Sequence, residues 1–283
     1  MTARPGSLRR GMMLHVNANL LNATVISKML PTHILNELDI VVLDIVGSTN
    51  DFVRERCAAG GSRGMVAFAE QQTAGRGRRG KTWHSPAGAN IYCSVGWQCQ
   101  GTLASLSGLS LAVGAILAES VAAHLGIQLQ LKWPNDLFYQ ERKLGGVLVE
   151  LLGEQDGGHN AVIGFGLNVS MGRDNNGMIG RPWTDLATAS GSEVDRNRLA
   201  ATILGRLVSG LTEINHSGMP KWLEAWRHRD MLLGRAVVVD GTPPVSGIAA
   251  GIDDSGALLL HTETGHCTVA GGEVSVLQIG DAV

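Results

Sequence analysis

Short apolar runs separated by polar turns make up much of the first two thirds of this 283-residue chain. Val41–Asn50 begins with β-branched residues and ends in Gly-Ser-Thr-Asn, and Met65–Ala69 is a second apolar run. Runs of this length between turn residues indicate strands. Further strands are predicted at Ala89–Trp97, Gln128–Lys132, Leu144–Leu152 and Asn160–Val169. Because the last three follow one another closely, we expect a mixed sheet.

Helices are predicted where longer apolar stretches meet capping or terminating residues. The stretch Leu103–Leu125 ends at a glycine, as many helices do. Polar residues such as Ser110 and Glu119 interrupt it, which favours a helix packed inside a protein over a membrane span. The other predicted helices are Leu20–Leu30, which stops at Pro31, Asn50–Ala59, Arg196–Ile214 and Lys221–Arg229.

The texture of the chain changes near Arg235, where short β-branched runs alternate with Gly-, Pro- and Asp-rich turns. This pattern predicts a small β-barrel over about Gly234–Ile279. Two other segments have little regular pattern. We expect residues 1–18 to be poorly ordered, and the Gly- and Asn-rich segment Gly172–Trp183 to be a mobile loop.

Composition narrows the class of protein. A hydrophobic content of 44% and a charged content of 17% are typical of a soluble globular protein. The net charge of −2 argues against a dedicated nucleic-acid binder. The four cysteines lack zinc-binding spacing, so we expect reduced thiols and a cytoplasmic location. No signal peptide is predicted, and we expect no membrane partner.

The segment Ala69–Trp83 carries the clearest chemical signal. It reads AEQQTAGRGRRGKTW, in which Gly75, Gly77 and Gly80 alternate with arginines. Glycine allows close approach to the backbone, and arginine supplies permanently charged donors for carboxylate and phosphate. The loop is therefore either a binding site for a small anion or a solvated basic turn, since short glycine motifs also occur by chance.

Three further motifs accompany this loop. Leu131–Glu150 contains Lys-Trp-Pro-Asn-Asp, a predicted turn, and then Lys-Leu-Gly-Gly at the start of a strand. Gly47–Asn50 precedes the loop, and Val162–Val169 reads VIGFGLNV. In this order the motifs resemble the biotin protein ligases, and the resemblance extends from about Asn19 to Leu277. It implies an α+β fold: a mixed-sheet catalytic core of the biotin/lipoate ligase type with a small C-terminal SH3-like β-barrel.

The resemblance implies a two-step reaction. The carboxylate of biotin attacks the α-phosphate of ATP, and the biotinyl-5′-AMP formed then acylates a specific lysine of a biotin carboxyl carrier protein. Two anions must meet in the first step, so positioning and electrostatic stabilisation should dominate. We assign Arg78 to the biotin carboxylate and the α-phosphate, Arg76 to the loop backbone and the phosphates, and Lys143 to charge stabilisation at the reacting groups. Arg79 is either a further contact or a surface charge.

Neutral polar groups suit the ureido ring of biotin, and an apolar wall suits its tail. Helix capping is an alternative role for Ser48, Thr49 and Asn50, and simple core packing is one for Trp83. The predicted biotin-binding residues are Ser48, Thr49, Asn50, Gln72, Gly75, Arg76, Gly77, Arg78, Trp83 and Lys143. The predicted ATP-binding residues are Arg76, Arg78, Lys132, Asn168 and Trp183.

Asp136 is the predicted Mg²⁺ partner, directly or through water, because magnesium on phosphates uses few carboxylates. The Pro-Asn-Asp sequence is also ordinary turn chemistry. We count Asp136 with Lys143 and Arg78 as catalytic, while the sequence identifies no general base for the lysine attack.

Domain limits follow from these elements: an N-terminal extension with a connector-like helix over 1–38, a catalytic domain over 39–233 and the SH3-like domain over 234–283. About forty residues precede the Val41–Asn50 strand, fewer than a winged helix needs, so we expect a monofunctional enzyme with no nucleic-acid partner. The strands Asn90–Trp97 and Asn160–Val169 are expected to offer an exposed edge for the carrier or for a homodimer. A lipoate ligase or octanoyl transferase, and a ligand-sensing regulator, are the alternative functions.

Overall fold

The computed structural model describes residues 19–58, 64–155, 158–172 and 179–277, and it consists of a mixed sheet, a helical layer and a second sheet. The segment 1–18 and part of the predicted loop 172–183 lie outside the described residues. The helices are α1 (Ala23–Lys28), α2 (Thr32–Leu35), α3 (Thr49–Ala58), α4 (Leu109–Leu125), α5 (Leu186–Ser190), α6 (Arg196–Ser217) and α7 (Pro220–Arg227). The strands are β1 (Asp39–Val46), β2 (Met65–Gln72), β3 (Asn90–Cys99), β4 (Gln130–Lys132), β5 (Asp136–Tyr139), β6 (Arg142–Gln155), β7 (Gly158–Asn168), β8 (Ala236–Val239), β9 (Val245–Ile252), β10 (Leu258–Thr262), β11 (Gly265–Val269) and β12 (Val274–Val276).

The first sheet has seven strands in the order β1-β2-β3-β7-β6-β5-β4. β1 and β2 are parallel and are connected through α3, whereas the other neighbours are antiparallel. The prediction of a mixed sheet is therefore confirmed. β3 and β7 lie side by side in its interior, so the expected exposed edge at these strands is wrong. Their apolar alternation reflects burial between neighbouring strands, and the edges of the sheet are β1 and β4.

The helical layer packs on this sheet through α4, most of which is buried against α6 and α7. The helix begins at Leu109 rather than at the predicted Leu103, because a separate 3₁₀ turn occupies Ala104–Leu106. Gly108 separates the two, and a Cβ atom there would lie 3.2 Å from the carbonyl oxygen of Ser255. Among the described residues, Ala104–Leu125 alone is long and apolar enough to cross a membrane by length and composition, and it is mostly buried inside the protein.

At the N-terminus the predicted helix Leu20–Leu30 is shorter than expected. It begins at Ala23 because the side chain of Asn22 caps it, and α2 follows directly after Pro31. A buried ion pair ties this region to the core: Arg196 of α6 binds Glu70 of β2 at 2.8 Å. The second carboxylate oxygen of Glu70 accepts a hydrogen bond from the backbone N–H of Leu21. This pairing fixes the strand that leads into the arginine-rich loop.

The C-terminal sheet has five antiparallel strands in the order β11-β10-β9-β8-β12. The predicted small β domain at the C-terminus is therefore confirmed, and its two outer strands do not pair with each other among the described residues. The sheet attaches to the core by a hydrogen bond of 3.0 Å from Nε1 of Trp133 to the carbonyl oxygen of Gly256. Ion pairs of Arg235 with Glu141 and of Lys81 with Glu273 add to this contact.

Candidate active site

A cavity of about 330 Å³ opens where the loop after β2, the start of α3 and the β4–β5 turn meet β6 and β7. This volume is in the range that binds small molecules. Most of the side chains selected from the sequence lie on its wall. These are Ser48, Thr49, Asn50, Gln72, Arg76, Gly77, Arg78, Trp83, Lys132, Asp136 and Lys143.

A network of neutral hydrogen bonds fixes one end of the cavity. Oε1 of Gln72 accepts bonds from the backbone N–H of Thr49 at 2.9 Å and from its Oγ1 at 3.1 Å. Nε2 of Gln72 donates to Oγ of Ser85 at 3.1 Å. Ser94, which the sequence did not single out, lies 2.8 Å from Oγ1 of Thr49. These polar groups are therefore held in place before a ligand enters.

Asn50 belongs to the same end but is almost fully buried. Its Nδ2 donates to Oε2 of Glu150 at 2.8 Å, and its Oδ1 lies 2.6 Å from Oγ of Ser94. A Cβ atom on Gly164 would lie only 1.9 Å from that Oδ1, so β7 must carry glycine there. The structure therefore gives Asn50 an architectural role in addition to the predicted ligand contact.

The arginine-rich loop contributes two arginines to the cavity wall, one with ion-pair partners and one without. Arg76 is held by Glu150 and Asp51, each at 2.8 Å from Nη2. Its guanidinium is thus bound by carboxylates of the protein, while the predicted contact with the phosphates stays a prediction. Arg78 forms no ion pair with a described residue, and burial lowers the pKa of its guanidinium, with a further lowering from Arg79. An unpaired cation facing a cavity is suited to an anionic ligand.

Gly75 and Arg79 show why this loop needs its sequence. A Cβ atom on Gly75 would lie 2.7 Å from both Oγ of Ser85 and the carbonyl oxygen of Trp83. Gly75 therefore serves close packing and does not line the cavity. Arg79 has a positive φ of 55° and an exposed side chain outside the cavity wall, in agreement with the surface-charge alternative.

Lys143 occupies the most buried cationic position in the cavity, with 9% of its surface exposed. The hairpin of β5 and β6 places its Nζ 2.5 Å from Oδ1 of Asp136, and Nζ also lies 5.4 Å from the centre of the Trp83 ring. Burial lowers the pKa of Lys143, and the charge of Asp136 partly opposes that change. The ammonium is positioned by one carboxylate and faces the space where Arg78 and Lys132 converge.

The backbone is closely packed at Gly145, the second residue after Lys143. A Cβ atom there would lie 2.6 Å from Cδ2 of Leu167 and 2.8 Å from the carbonyl oxygen of Gly166. The close neighbour is therefore strand β7, whereas Gly146 lies on the cavity wall.

A second, smaller cavity of about 140 Å³ adjoins the first and shares Trp83 and Lys143 with it. Two of the predicted ATP-binding residues, Asn168 and Trp183, line this cavity. Nδ2 of Asn168 donates to the carbonyl oxygen of Thr184 at 3.0 Å, so the amide also holds the loop that carries Trp183. The backbone of Lys143 pairs with the same loop on both sides of Trp183.

Sequence reasoning missed several residues of the site. Arg181 lines both cavities, and its charge contributes to the lowered pKa of Lys132, for which burial is the main cause. Glu150 and Asp51 hold Arg76. No local pattern marks these residues, because their partners are distant in sequence or lie on another strand.

Gly166, by contrast, could have been identified from the sequence, because it is a glycine inside a predicted strand. A glycine inside a strand often marks the close approach of another group. A Cβ atom there would lie 2.7 Å from Cε2 and Nε1 of Trp83, whose ring covers β7 at this point.

We expect Gly166→Ala to displace Trp83 and raise the KM for biotin about tenfold or more, since overpacking a filled site costs about 1–3 kcal/mol. The KM is measured by biotin-dependent exchange of pyrophosphate into ATP. Gly271→Ala is the matched control, because a Cβ atom at that position meets nothing within 4 Å. Equal KM values for the two variants would show that Trp83 does not shape the biotin pocket.

Comparison with known proteins identifies the class to which this fold and site belong. Residues 42–168 match the Biotin/lipoate A/B protein ligase family, and residues 232–277 match the Biotin protein ligase C terminal domain. The bifunctional ligase/repressor BirA of Escherichia coli is 38% identical over 247 residues, which cover 86% of this chain and 76% of that protein. The biotin–[acetyl-CoA-carboxylase] ligase of Mycobacterium tuberculosis is 35% identical over 251 residues, covering 85% and 88% of the two chains.

The three-dimensional structure gives the same result. The biotin protein ligase of Aquifex aeolicus, solved in complex with biotin and ATP, superimposes with a TM-score of 0.72 at 27% identity. The match covers 85% of this chain and 99% of that one. The chain belongs to the biotin protein ligase family. It is a ligase that uses ATP to activate biotin as biotinyl-5′-AMP and transfers the biotin to a lysine of a carrier protein.

Proposed function

We propose that both reaction steps take place in the larger cavity, and that biotin and ATP bind at its opposite ends. The single observation that carries this proposal is that one cavity gathers residues from all the motifs that precede β7. The end formed by Ser48, Thr49 and Gln72 supplies donors and acceptors for the ureido ring of biotin. Trp83 supplies an apolar wall beside it.

In the first step Arg78 and Lys143 reduce the repulsion between the biotin carboxylate and the α-phosphate. Arg78 forms no ion pair with a described residue and is available to both anions. Lys143 has three rotatable donors on a compact charge, which can follow the negative charge as it moves between oxygens. Fixed cations in a partly desolvated cavity stabilise such a transition state without reorganisation.

The nucleotide lies across both cavities in this proposal, with adenine beside Asn168 and Trp183 and the phosphates near Lys132 and Arg181. Arg181 lines both cavities, so it lies where the sugar and phosphates would pass between them. Among the described residues no group of three His, Cys, Asp or Glu side chains is arranged for a resident metal. Mg²⁺ would therefore arrive with ATP, and Asp136 would hold it with the phosphates, directly or through water.

The cysteines argue against the octanoyl transferase alternative. A transferase of that kind needs a nucleophilic thiolate at the acyl pocket. Cys57, Cys93 and Cys99 are buried, which raises the pKa of each thiol, and none of the four cysteines lines either cavity. Transfer through an adenylate to a carrier lysine is the reaction that the site supports.

The remaining parts of the proposal concern the whole chain. We propose a division into a catalytic domain over 39–233 and a small domain over 234–283. This division is supported by the strands, because those before α7 belong to the first sheet and those from β8 onward belong to the second.

A biotin carboxyl carrier protein is the proposed acceptor of biotin. We propose no nucleic-acid partner, which the net charge of −2 favours. Reduced cysteines support a cytoplasmic location. A homodimer is a further proposed assembly, and the mass of the protein in solution tests it.

Arg181→Gln tests the nucleotide half of the proposal. We expect the KM for ATP to rise about five- to tenfold, because a charged contact to phosphate is lost, while the KM for biotin stays the same. Arg142→Gln is the matched control, since Arg142 is exposed beside the site and lines neither cavity. A rise in the KM for biotin alone, or no rise at all, would contradict the proposed path of the nucleotide.

A further inference from the structure

Glu150 is a carboxylate in the middle of β6, within the otherwise apolar sequence Val-Leu-Val-Glu-Leu-Leu. Its Oε1 accepts a bond from Nη1 of Arg76 at 3.0 Å, and its Oε2 accepts one from Nη2 at 2.8 Å. The same Oε2 accepts a bond from Nδ2 of Asn50, also at 2.8 Å. One carboxylate thus joins the arginine-rich loop to the polar end of the cavity.

The pairing is the two-pronged type that fixes orientation as well as distance. Burial opposes the ionisation of Glu150, but the hydrogen bonds from Arg76 and Asn50 outweigh it and hold the pKa of Glu150 below its ordinary value. Only a quarter of the side chain is exposed, so solvent screens the ion pair less than at an open surface. Together with Asp51, which also binds Nη2 of Arg76, this contact is therefore suited to hold the arginine-rich loop in one position.

Restraining Arg76 also restrains Arg78, because a single glycine separates them. The backbone N–H of Gly77 donates to the carbonyl oxygen of Lys81, which closes the loop into a compact turn. Arg78 itself forms no ion pair with a described residue, although the charges of Asp136 and Glu273 act on its guanidinium. Its position over the cavity depends on the attachment of Arg76.

We propose that Glu150 is a positioning residue that sets the distance between Arg78 and the biotin-binding end of the cavity by holding Arg76 and Asn50 with one carboxylate. The inference rests on the proposed function of Arg78 and deepens it. Glu150 does not touch the substrate in this scheme. It reduces the ordering that the loop must undergo when biotin and its adenylate bind.

Glu150→Gln is the test, because glutamine keeps the size of the side chain and removes its charge. We expect the KM for biotin to rise about tenfold and the release of biotinyl-5′-AMP to accelerate by a similar factor, while the KM for ATP changes less than twofold. Trypsin should also cleave the ligand-free loop at Arg78 or Arg79 several times faster. Glu154→Gln is the matched control: it is the same change on the same strand, at an exposed position.

A purely structural role would lower the thermal unfolding midpoint or the active fraction and leave the KM for biotin unchanged. That result would overturn the inference. Arg76→Gln removes the same ion pair from its other side, together with the ion pair between Arg76 and Asp51, and is the second variant if Glu150→Gln does not fold. In the double variant the two effects on the KM for biotin should be less than additive, since both single variants remove the contact between Glu150 and Arg76. Full additivity would overturn the proposed linkage.

The outcome separates this inference from the proposed function on which it rests. If Arg78→Gly alters adenylate release and Glu150→Gln does not, only the role of Glu150 fails. If Arg78→Gly itself has no effect on adenylate release, the role of Arg78 fails, and the positioning role falls with it.

Discussion

Replacement of Lys143 by alanine should slow the formation of biotinyl-5′-AMP by about 10²–10³-fold, the range found when one preorganised donor to a developing charge is removed. Lys143 is the most buried cation on the cavity wall, and Asp136 fixes its Nζ at 2.5 Å. The rate is measured in single-turnover reactions at saturating biotin and ATP. The loss should fall on the rate of adenylation more than on the KM for either substrate.

The fold should survive this change. Asp136 loses its partner, but its side chain is 18% exposed and can reach water. The thermal unfolding midpoint is therefore expected to fall by only a few degrees. Arg142→Ala, one residue earlier on the same strand and exposed, provides the control. A Lys143→Ala enzyme that adenylates biotin at the control rate would remove Lys143 from the chemistry.

Arg78→Gly is expected to release biotinyl-5′-AMP from the enzyme and to cause biotin to appear on lysines of unrelated proteins. Arg78 faces the cavity and forms no ion pair with a described residue, so its guanidinium can donate hydrogen bonds to the adenylate. Losing one charge-assisted contact of this kind costs about 1.5–3 kcal/mol, which corresponds to at least a tenfold faster escape. The measurement is biotin incorporated into a bystander protein mixed with the enzyme.

Arg79→Gly is a close control for this experiment. Arg79 is the next residue in the loop, its side chain lies outside the cavity, and its φ of 55° is a conformation that glycine adopts easily. The control should label the carrier and leave the bystander unmodified. Bystander labelling that does not differ between the two variants would contradict the proposed role of Arg78.

The sequence predicted most of the strands because each is bounded by turn residues that punctuate the pattern. β2, β3, β6 and β7 begin within about two residues of their expected positions. β5 was missed, since its four residues begin with the Asp of the predicted Pro-Asn-Asp turn and are too few for a pattern. The order of the strands could not be inferred either, because alternation alone does not distinguish an interior strand such as β3 from one at an edge.

In the candidate site, the sequence likewise identified residues in short motifs but not residues whose partners are distant along the chain. Arg78, Lys143 and Gln72 belong to short motifs whose residue types indicate their chemistry, and the structure brings them to one cavity. Glu150 was not selected, because its partners Arg76 and Asn50 are 74 and 100 residues away in sequence. An ion pair between such distant positions depends on the sheet that joins them. For the same reason, only the structure revealed that carboxylates already hold Arg76.

Biotin-dependent exchange of labelled pyrophosphate into ATP is the most direct test of the central claim, with lipoate and octanoate as parallel substrates. The exchange reports the reversible formation of an acyl-adenylate and needs no carrier protein. We expect exchange with biotin and none above background with the other two acids. Exchange that depends on lipoate instead, or no exchange from folded protein that still binds biotin, would contradict the assignment of this cavity to biotin activation.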